Sequence, residues 1–116
     1  MKKYLIPPEQ LKPLAEGIGM CMAPDTIMVT GLPIARMYRV MPTMLMDSGW
    51  RFLAGCETGE YLSNPRYNGI YDVNVLANYS PDIVELLNSP PYSAYERAED
   101  GRWQDVSLST DWLSLA

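Results

Sequence analysis

The chain has 116 residues, 47% of them hydrophobic, and a formal net charge of −5. This size and composition predict one globular domain, residues 1–116, and exclude a largely disordered chain or a coiled coil. No apolar run approaches the roughly 20 residues of a membrane span. The apolar start at Tyr4 ends at Pro7, which is too early for a signal peptide. We therefore expect a cytoplasmic protein with no membrane contact.

The composition restricts catalysis most strongly through the absence of histidine. The chain lacks the usual zinc ligand and general base, and it cannot form a Ser-His or Cys-His nucleophile pair. Carboxylate and metal-carboxylate catalysis remain open because they need only Asp and Glu. Cys21 and Cys56 lie in separate apolar surroundings, which predicts small buried side chains and no disulfide. We expect a protein that is not an enzyme and binds neither a metal nor a cofactor.

The charge is distributed unevenly along the chain. Residues 72–116 contain two arginines against eight acidic side chains. Such an acidic half repels a nucleic-acid backbone, whose binding requires Lys and Arg, and so argues against a nucleic-acid partner. It fits either a solvated surface or a basic protein partner.

The first half of the chain predicts short elements separated by prolines. Residues 7–16 predict one or two helical turns that begin at Pro8. Trp50 and Phe52 alternate with Arg51 and Leu53, which predicts a strand with one aromatic face. The predicted strands lie at residues 18–22, 26–30, 34–41 and 49–57.

The second half begins with an ambiguous stretch. Asp72 fits the N-cap of a helix with an apolar stripe at Val73, Leu76 and Ala77, although alternation through Tyr71 and Val73 also fits a strand. A following helix is predicted to begin at Ser80 and Pro81, with its apolar stripe at Ile83, Leu86 and Leu87.

Residues 93–106 predict a β-hairpin, and charge selects its register. A two-residue turn would place Glu96 opposite Asp105, whereas a three-residue loop at residues 99–101 pairs Arg97 with Trp103. The end of the chain, from Thr110, fits a short helix or a strand. Together the elements predict an α+β fold with a mainly antiparallel sheet and one or two short helices on one face.

The first candidate binding segment is the run MPTMLM at residues 41–46, which contains Met44 and Met46. Flexible thioethers suit irregular gaps in a core and also adaptable binding surfaces. Because Pro42 and Thr43 interrupt the run, we expect an exposed loop. An exposed apolar loop favours a partner surface.

The second candidate segment is DSGWRF at residues 47–52. Asp47, Trp50 and Arg51 could orient a ligand or partner, and Trp and Arg are common at binding hot spots. The alternative is a turn that leads into an amphipathic strand. No adjacent base activates Ser48, so nucleophilic catalysis has little support.

The third candidate group consists of Asp72, Asn74, Asn78 and Asp82. Their oxygens could bind a ligand, but the run lacks the central Gly and closing Glu of a calcium loop. Helix capping accounts for Asp72 and Asp82 without any ligand.

Five segments follow one another in a recognisable order: MYR at 37–39, DSGWRF at 47–52 with Gly55, the GIYD to PDI run at 69–83, the L-x-S-P stretch at 87–90 and AYER at 94–97. Together they resemble a bacterial family first described as a domain of unknown function and later named immunity protein family 33. The resemblance spans residues 19–97 and implies a small cytoplasmic protein that binds and neutralises a toxin without chemistry of its own. Relative to the family pattern, residues 41–46 are apolar where charged residues are expected, so partner specificity would lie there.

The leading hypothesis is a non-catalytic immunity-type protein with an apolar anchor and charged residues that orient the partner. One alternative is a small-ligand domain or weak enzyme, which a deep polar pocket joining DSGWR to residues 72–78 would favour. Another is a homodimer that hides residues 41–46. The predicted partner-binding residues are Met44, Met46, Asp47, Trp50, Arg51, Asp72, Asn74 and Asn78.

Overall fold

The computed structural model describes residues 2–109 and Trp112. Its central element is a six-stranded sheet. The strands are β1 (Met20–Pro24), β2 (Arg36–Arg39), β3 (Asp47–Leu53), β4 (Asn68–Asp72), β5 (Ala94–Arg97) and β6 (Trp103–Asp105). The helices are α1 (Asp25–Met28), α2 (Gly59–Ser63) and α3 (Val73–Tyr79), with 3-10 turns at Pro8–Gln10, Pro65–Tyr67 and Pro81–Leu86.

The strand order across the sheet is β4-β1-β3-β2-β5-β6. β1 and β3 run parallel, whereas the other four neighbouring pairs are antiparallel. The sheet is therefore mixed, and the predicted α+β fold with a mainly antiparallel sheet is confirmed.

The central strand β3 follows the predicted alternation. Trp50 and Phe52 are fully buried and stack with their ring centroids 6.2 Å apart. The indole Nε1 of Trp50 donates a hydrogen bond of 3.2 Å to the carbonyl of Leu87, beyond the 3-10 helix Pro81–Leu86. Arg51 lies between the two rings in sequence and therefore points to the opposite face of the sheet.

Two apolar clusters cover the two faces of the sheet to different extents. The larger cluster contains Trp50 and Phe52 together with buried side chains of α1, α3 and the 3-10 helix Pro81–Leu86. The smaller cluster contains Tyr38, Leu53, Ala94 and Trp112, with Leu62 of α2 packed against it. The helices thus lie mainly on one face, as predicted, while α2 packs on the other.

The predicted strand at residues 26–30 is wrong. Residues 26–28 belong to α1 and residues 29–30 form a turn, and both Ile27 and Met28 are buried in the larger cluster. Adjacent residues of a strand point to opposite faces, so a strand would have removed one of them from this core. The expectation that Cys56 is buried is also wrong, because Cys56 is exposed; Cys21 is buried, and both thiols are free.

The stretch around Asp72, for which both a strand and a helix were predicted, contains the end of a strand and the start of a helix. β4 ends at Asp72, whose carboxylate then accepts a hydrogen bond of 2.8 Å from the backbone N–H of Asn74 and caps α3. The next helix begins at Pro81 as predicted but is a 3-10 helix. Ser80 donates its hydroxyl to Asp82 at 2.6 Å and makes no side-chain cap.

The predicted hairpin register is confirmed, since Arg97 pairs with Trp103 and Gly101 has φ of +85°. The guanidinium of Arg97 lies 4.0 Å from the centroid of the Trp103 ring. It also donates to Asp82 at 2.6 Å and to the carbonyl of Ile34 at 2.8 Å, which ties the hairpin to the rest of the fold. The alternatives for the end of the chain, from Thr110, lie outside the described residues.

The ion pair between Asp82 and Arg97 predicts an acid-sensitive contribution to stability. Arg97 lowers the pKa of the Asp82 carboxyl from 3.8 to about 2. Because the pKa in the folded state is below that of the unfolded chain, ionised Asp82 stabilises the fold above about pH 4, and this contribution disappears as the pH falls to about 2. Urea unfolding across this range should show the wild type losing its stability advantage over Asp82→Asn. An advantage that does not change with pH would contradict the assignment.

Candidate functional site

The face of the sheet opposite the larger cluster is only partly covered, and we call it the free face. The strand register places Ile70, Met22, Arg51, Tyr38 and Ala94 in one row across five strands of this face. The smaller cluster buries Tyr38 and Ala94 at one end of the row, whereas Met22 and Ile70 are exposed at the other. An apolar surface is therefore open to solvent on β1 and β4.

A groove of about 570 Å³ lies on the free face. Its size falls within the range of ligand and anchor pockets. Arg51 is the only charged side chain among the described residues that line it. Most of the other lining residues are apolar or aromatic, among them Met22, Tyr38, Met41, Leu62 and Tyr92.

Arg51 and Asp47 form a bidentate ion pair beside this groove. Nη1 of Arg51 lies 3.0 Å from Oδ1 of Asp47, and Nη2 lies 3.2 Å from Oδ2. The hydrogen bond from Arg51 lowers the pKa of Asp47, so the carboxylate stays ionised at neutral pH. The pair is neutral as a unit, and Asp47 fixes the position of the guanidinium.

The segment 41–46, which we call the methionine loop, projects from the sheet between β2 and β3. Met44 is 74% exposed, Leu45 is 99% exposed and Met46 is 65% exposed. The loop adjoins the groove, because Met41 and Thr43 belong to the loop and also line the groove. The prediction that this segment is an exposed loop is confirmed, and its apolar surface is of the kind that marks an interaction site.

Close backbone contacts hold the ends of the methionine loop. The N–H of Met20 donates to the carbonyl of Met46 at 2.7 Å, and the N–H of Val40 donates to the carbonyl of Gly49 at 2.9 Å. Gly49 has φ of +87°, and a Cβ at this position would overlap the carbonyl oxygen of Val40. A glycine is therefore required at this position of β3, next to Val40.

Trp50 cannot make the partner contact predicted for it, because it is 0% exposed. Alternation along β3 puts its ring in the larger cluster, on the opposite face from Arg51. The guanidinium of Arg39 covers part of the ring at 5.7 Å from its centroid. Trp50 is therefore a core residue that orients β3.

Asn74 and Asn78 bind the chain's own N-terminal segment. Oδ1 of Asn74 accepts hydrogen bonds from the N–H groups of Leu14 and Ala15, and its Nδ2 donates to the carbonyl of Lys12. Asn78 bonds both the N–H and the carbonyl of Lys12. None of these amides lines the groove. The predicted binding residues therefore lie at two separate sites, one at the groove and one at the N-terminal segment. Among the described residues, no polar pocket joins the two sites.

Sequence reasoning missed Met22, Tyr38 and Tyr92 of this surface, and it included Leu45 in a candidate segment without naming it as a contact residue. Leu45 belongs to the same apolar run as Met44, so the argument that an exposed apolar loop favours a partner surface applies to it as well. The other three come together only through strand pairing and the turn before β5, which no local signal reveals.

Within residues 2–109 and Trp112, no three His, Cys, Asp or Glu side chains are grouped so as to hold a metal ion. No helix in the same part of the chain has the length and apolar character to cross a membrane.

Residues 21–107 match the family described as Immunity protein Imm33 domain. The matched range contains all of β2 to β6, the methionine loop and all of the described residues that line the groove. No curated protein and no solved structure matches the chain.

The glycine at the base of the methionine loop gives a prediction with an internal control. Gly49→Ala should lower the free energy of unfolding by about 3 kcal/mol or more, from the left-handed φ and the overlap with Val40. Gly101→Ala has nearly the same φ but no atom within 4 Å of the added Cβ, so it should cost only about 1 kcal/mol. Urea unfolding measures both. Equal losses would show that the approach to Val40 is unimportant.

The hydrogen bonds between Asn74 and residues 12–15, which we call the clasp, give a further testable prediction. Asn74→Ala removes three hydrogen bonds to residues 12–15 and should cost about 2 kcal/mol. Hydrogen exchange should show the amides of Leu14 and Ala15 losing protection. Asn88→Ala, at an exposed position, is the control and should change stability by less than about 0.5 kcal/mol. Unchanged protection at Leu14 and Ala15 would rule out the clasp.

Proposed function

The chain belongs to the Imm33 immunity protein family, and on this premise we propose that it binds and neutralises a protein toxin in the bacterial cytoplasm. It acts by covering a surface of the toxin and not by catalysis. The family membership supports an immunity role, and the geometry of the free face supports the contact surface.

The observation that carries this proposal is the exposed tip of the methionine loop. Met44, Leu45 and Met46 present adjacent apolar side chains at the end of β2 and β3. Burial of apolar side chains by a partner is favourable by about 25 cal/mol per Å² of surface removed from water, before the costs of association. A tip of this kind is well suited to the centre of a protein interface.

The fixed base of the loop adds to this argument. A hydrogen bond from Met20 fixes Met46 at one end of the loop, and a hydrogen bond from Val40, the residue before the loop, to Gly49 of β3 fixes the other end, so the tip is held before a partner arrives. Less conformational entropy is then lost on binding. Thioether side chains at the tip still adapt to the shape of the partner.

Two fully exposed leucines provide a matched test of this surface. Leu45 is 99% exposed in the methionine loop, and Leu108 is 101% exposed after β6. Leu45→Asp and Met44→Asp place a charge in the proposed interface and should each weaken toxin binding about tenfold or more. Leu108→Asp should leave affinity unchanged. None of the three buries a charge in the fold, so all should remain folded.

The experiment starts with affinity capture of the toxin from the native host, followed by expression of the captured protein alone and together with the chain. We expect growth arrest by the captured protein alone, rescue by the wild-type chain and Leu108→Asp, and reduced rescue by Leu45→Asp. A captured protein without toxicity would refute the immunity function. Full rescue by Leu45→Asp and Met44→Asp would refute the proposed surface.

A further inference from the structure

Tyr92 is held in a backbone conformation that tyrosine rarely adopts. Its φ is 70°, and among the described residues it is the only one other than glycine with a positive φ. The hydrogen bond of 2.6 Å from its N–H to the carbonyl of Arg39 helps to keep it there. Glycine would occupy this region without the penalty that a Cβ causes. The tyrosine at this position therefore requires a reason other than the backbone.

Packing does not supply that reason. Tyr92 is 56% exposed and belongs to neither apolar cluster of the described residues. It does line the free-face groove, together with Met41 of the methionine loop and Arg51 of β3. Backbone strain concentrates at functional sites, and tyrosine is enriched among residues that dominate binding energy.

The charge in the groove restricts what can enter it. Arg51 is the only charged residue among the described lining residues, and Asp47 already neutralises it at 3.0 Å. A charged group brought into the groove would lose its hydration without gaining an unpaired counter-charge. The remaining walls, such as Met22, Met41 and Leu62, complement an apolar group.

Arg51 retains capacity for hydrogen bonding. A guanidinium has five N–H groups, and Arg51 donates two hydrogen bonds to Asp47 and one to the carbonyl of Trp50. Its other N–H groups have no acceptor among the described residues. A backbone carbonyl is a neutral acceptor that suits them.

We propose that the groove receives one uncharged apolar or aromatic side chain of the protein partner, and that Tyr92 determines affinity by packing against it. The spare N–H groups of Arg51 bond a backbone carbonyl of the same partner residue. This inference rests on the proposed function and specifies the partner chemistry of its surface.

N-acetyl amino acid amides test this chemistry without the toxin, since each carries one side chain and two carbonyls. Tryptophan and leucine amides should bind weakly and shift the backbone amide signals of Met22, Arg51 and Tyr92 in ¹H–¹⁵N spectra. Glutamate and lysine amides should bind about fivefold or more weakly than the tryptophan amide, because their charges are desolvated. Comparable affinity for the charged amides, or shifts confined to other surfaces, would overturn the proposal.

Two variants separate the ring of Tyr92 from its backbone. Tyr92→Gly removes the ring and the strain, so affinity for the tryptophan amide should fall about fivefold or more while the thermal midpoint is not lowered. Tyr92→Phe keeps the ring and should keep most of the affinity. Unchanged affinity in Tyr92→Gly would overturn the role of the ring. Amide binding as expected, in a chain that fails to rescue cells from the toxin, would refute the proposed function and leave the groove chemistry standing.

Discussion

The architecture depends on the alternation of side chains along the central strand β3. Trp50 and Phe52 are covered by the helices of the larger cluster, so Arg51 and Leu53 must face the other side of the sheet. A shift of one residue would bury Arg51 among the helices and expose two aromatic rings, which is strongly unfavourable. The hydrogen bond from Trp50 to Leu87 and the contact with Arg39 hold this register. The surface that the protein offers a partner is therefore decided by what its core requires.

The free face carries features that a purely structural account leaves unexplained. An apolar loop tip is exposed although its base is fixed, and Tyr92 has a positive φ although it packs in neither apolar cluster and is 56% exposed. Both adjoin one groove whose only described charge is neutralised by a neighbour. Immunity by occlusion needs such a pre-formed surface, whereas it needs no proton donor or nucleophile. The lack of histidine in the chain is compatible with this mode of action.

Local chemistry in the sequence predicted the elements whose signals are local. A window of about ten residues was enough to predict each of three features. They are the alternation around Trp50, the cap at Asp72 and the register that pairs Arg97 with Trp103. The helix at residues 25–28 was not, because its β-branched residues favour a strand and only the larger cluster makes the helical arrangement preferable. The roles of Asn74 and Trp50 also depended on distant partners. Asn74 bonds a segment some 60 positions away in sequence, and burial of Trp50 depends on which face the helices cover.

The central claim is that a protein partner covers the free face and the methionine loop. The methionine side chains of the chain can serve as probes of this contact. Met22, Met41, Met44 and Met46 are exposed on this surface, whereas Met28 and Met37 are buried in the larger cluster. Methyl spectra of chain labelled with ¹³C at the methionine methyls, recorded with and without the toxin, measure the contact directly. The account predicts large changes for the four exposed methyls and small changes for the two buried ones. Unchanged signals from the four exposed methyls in a saturated complex would contradict it.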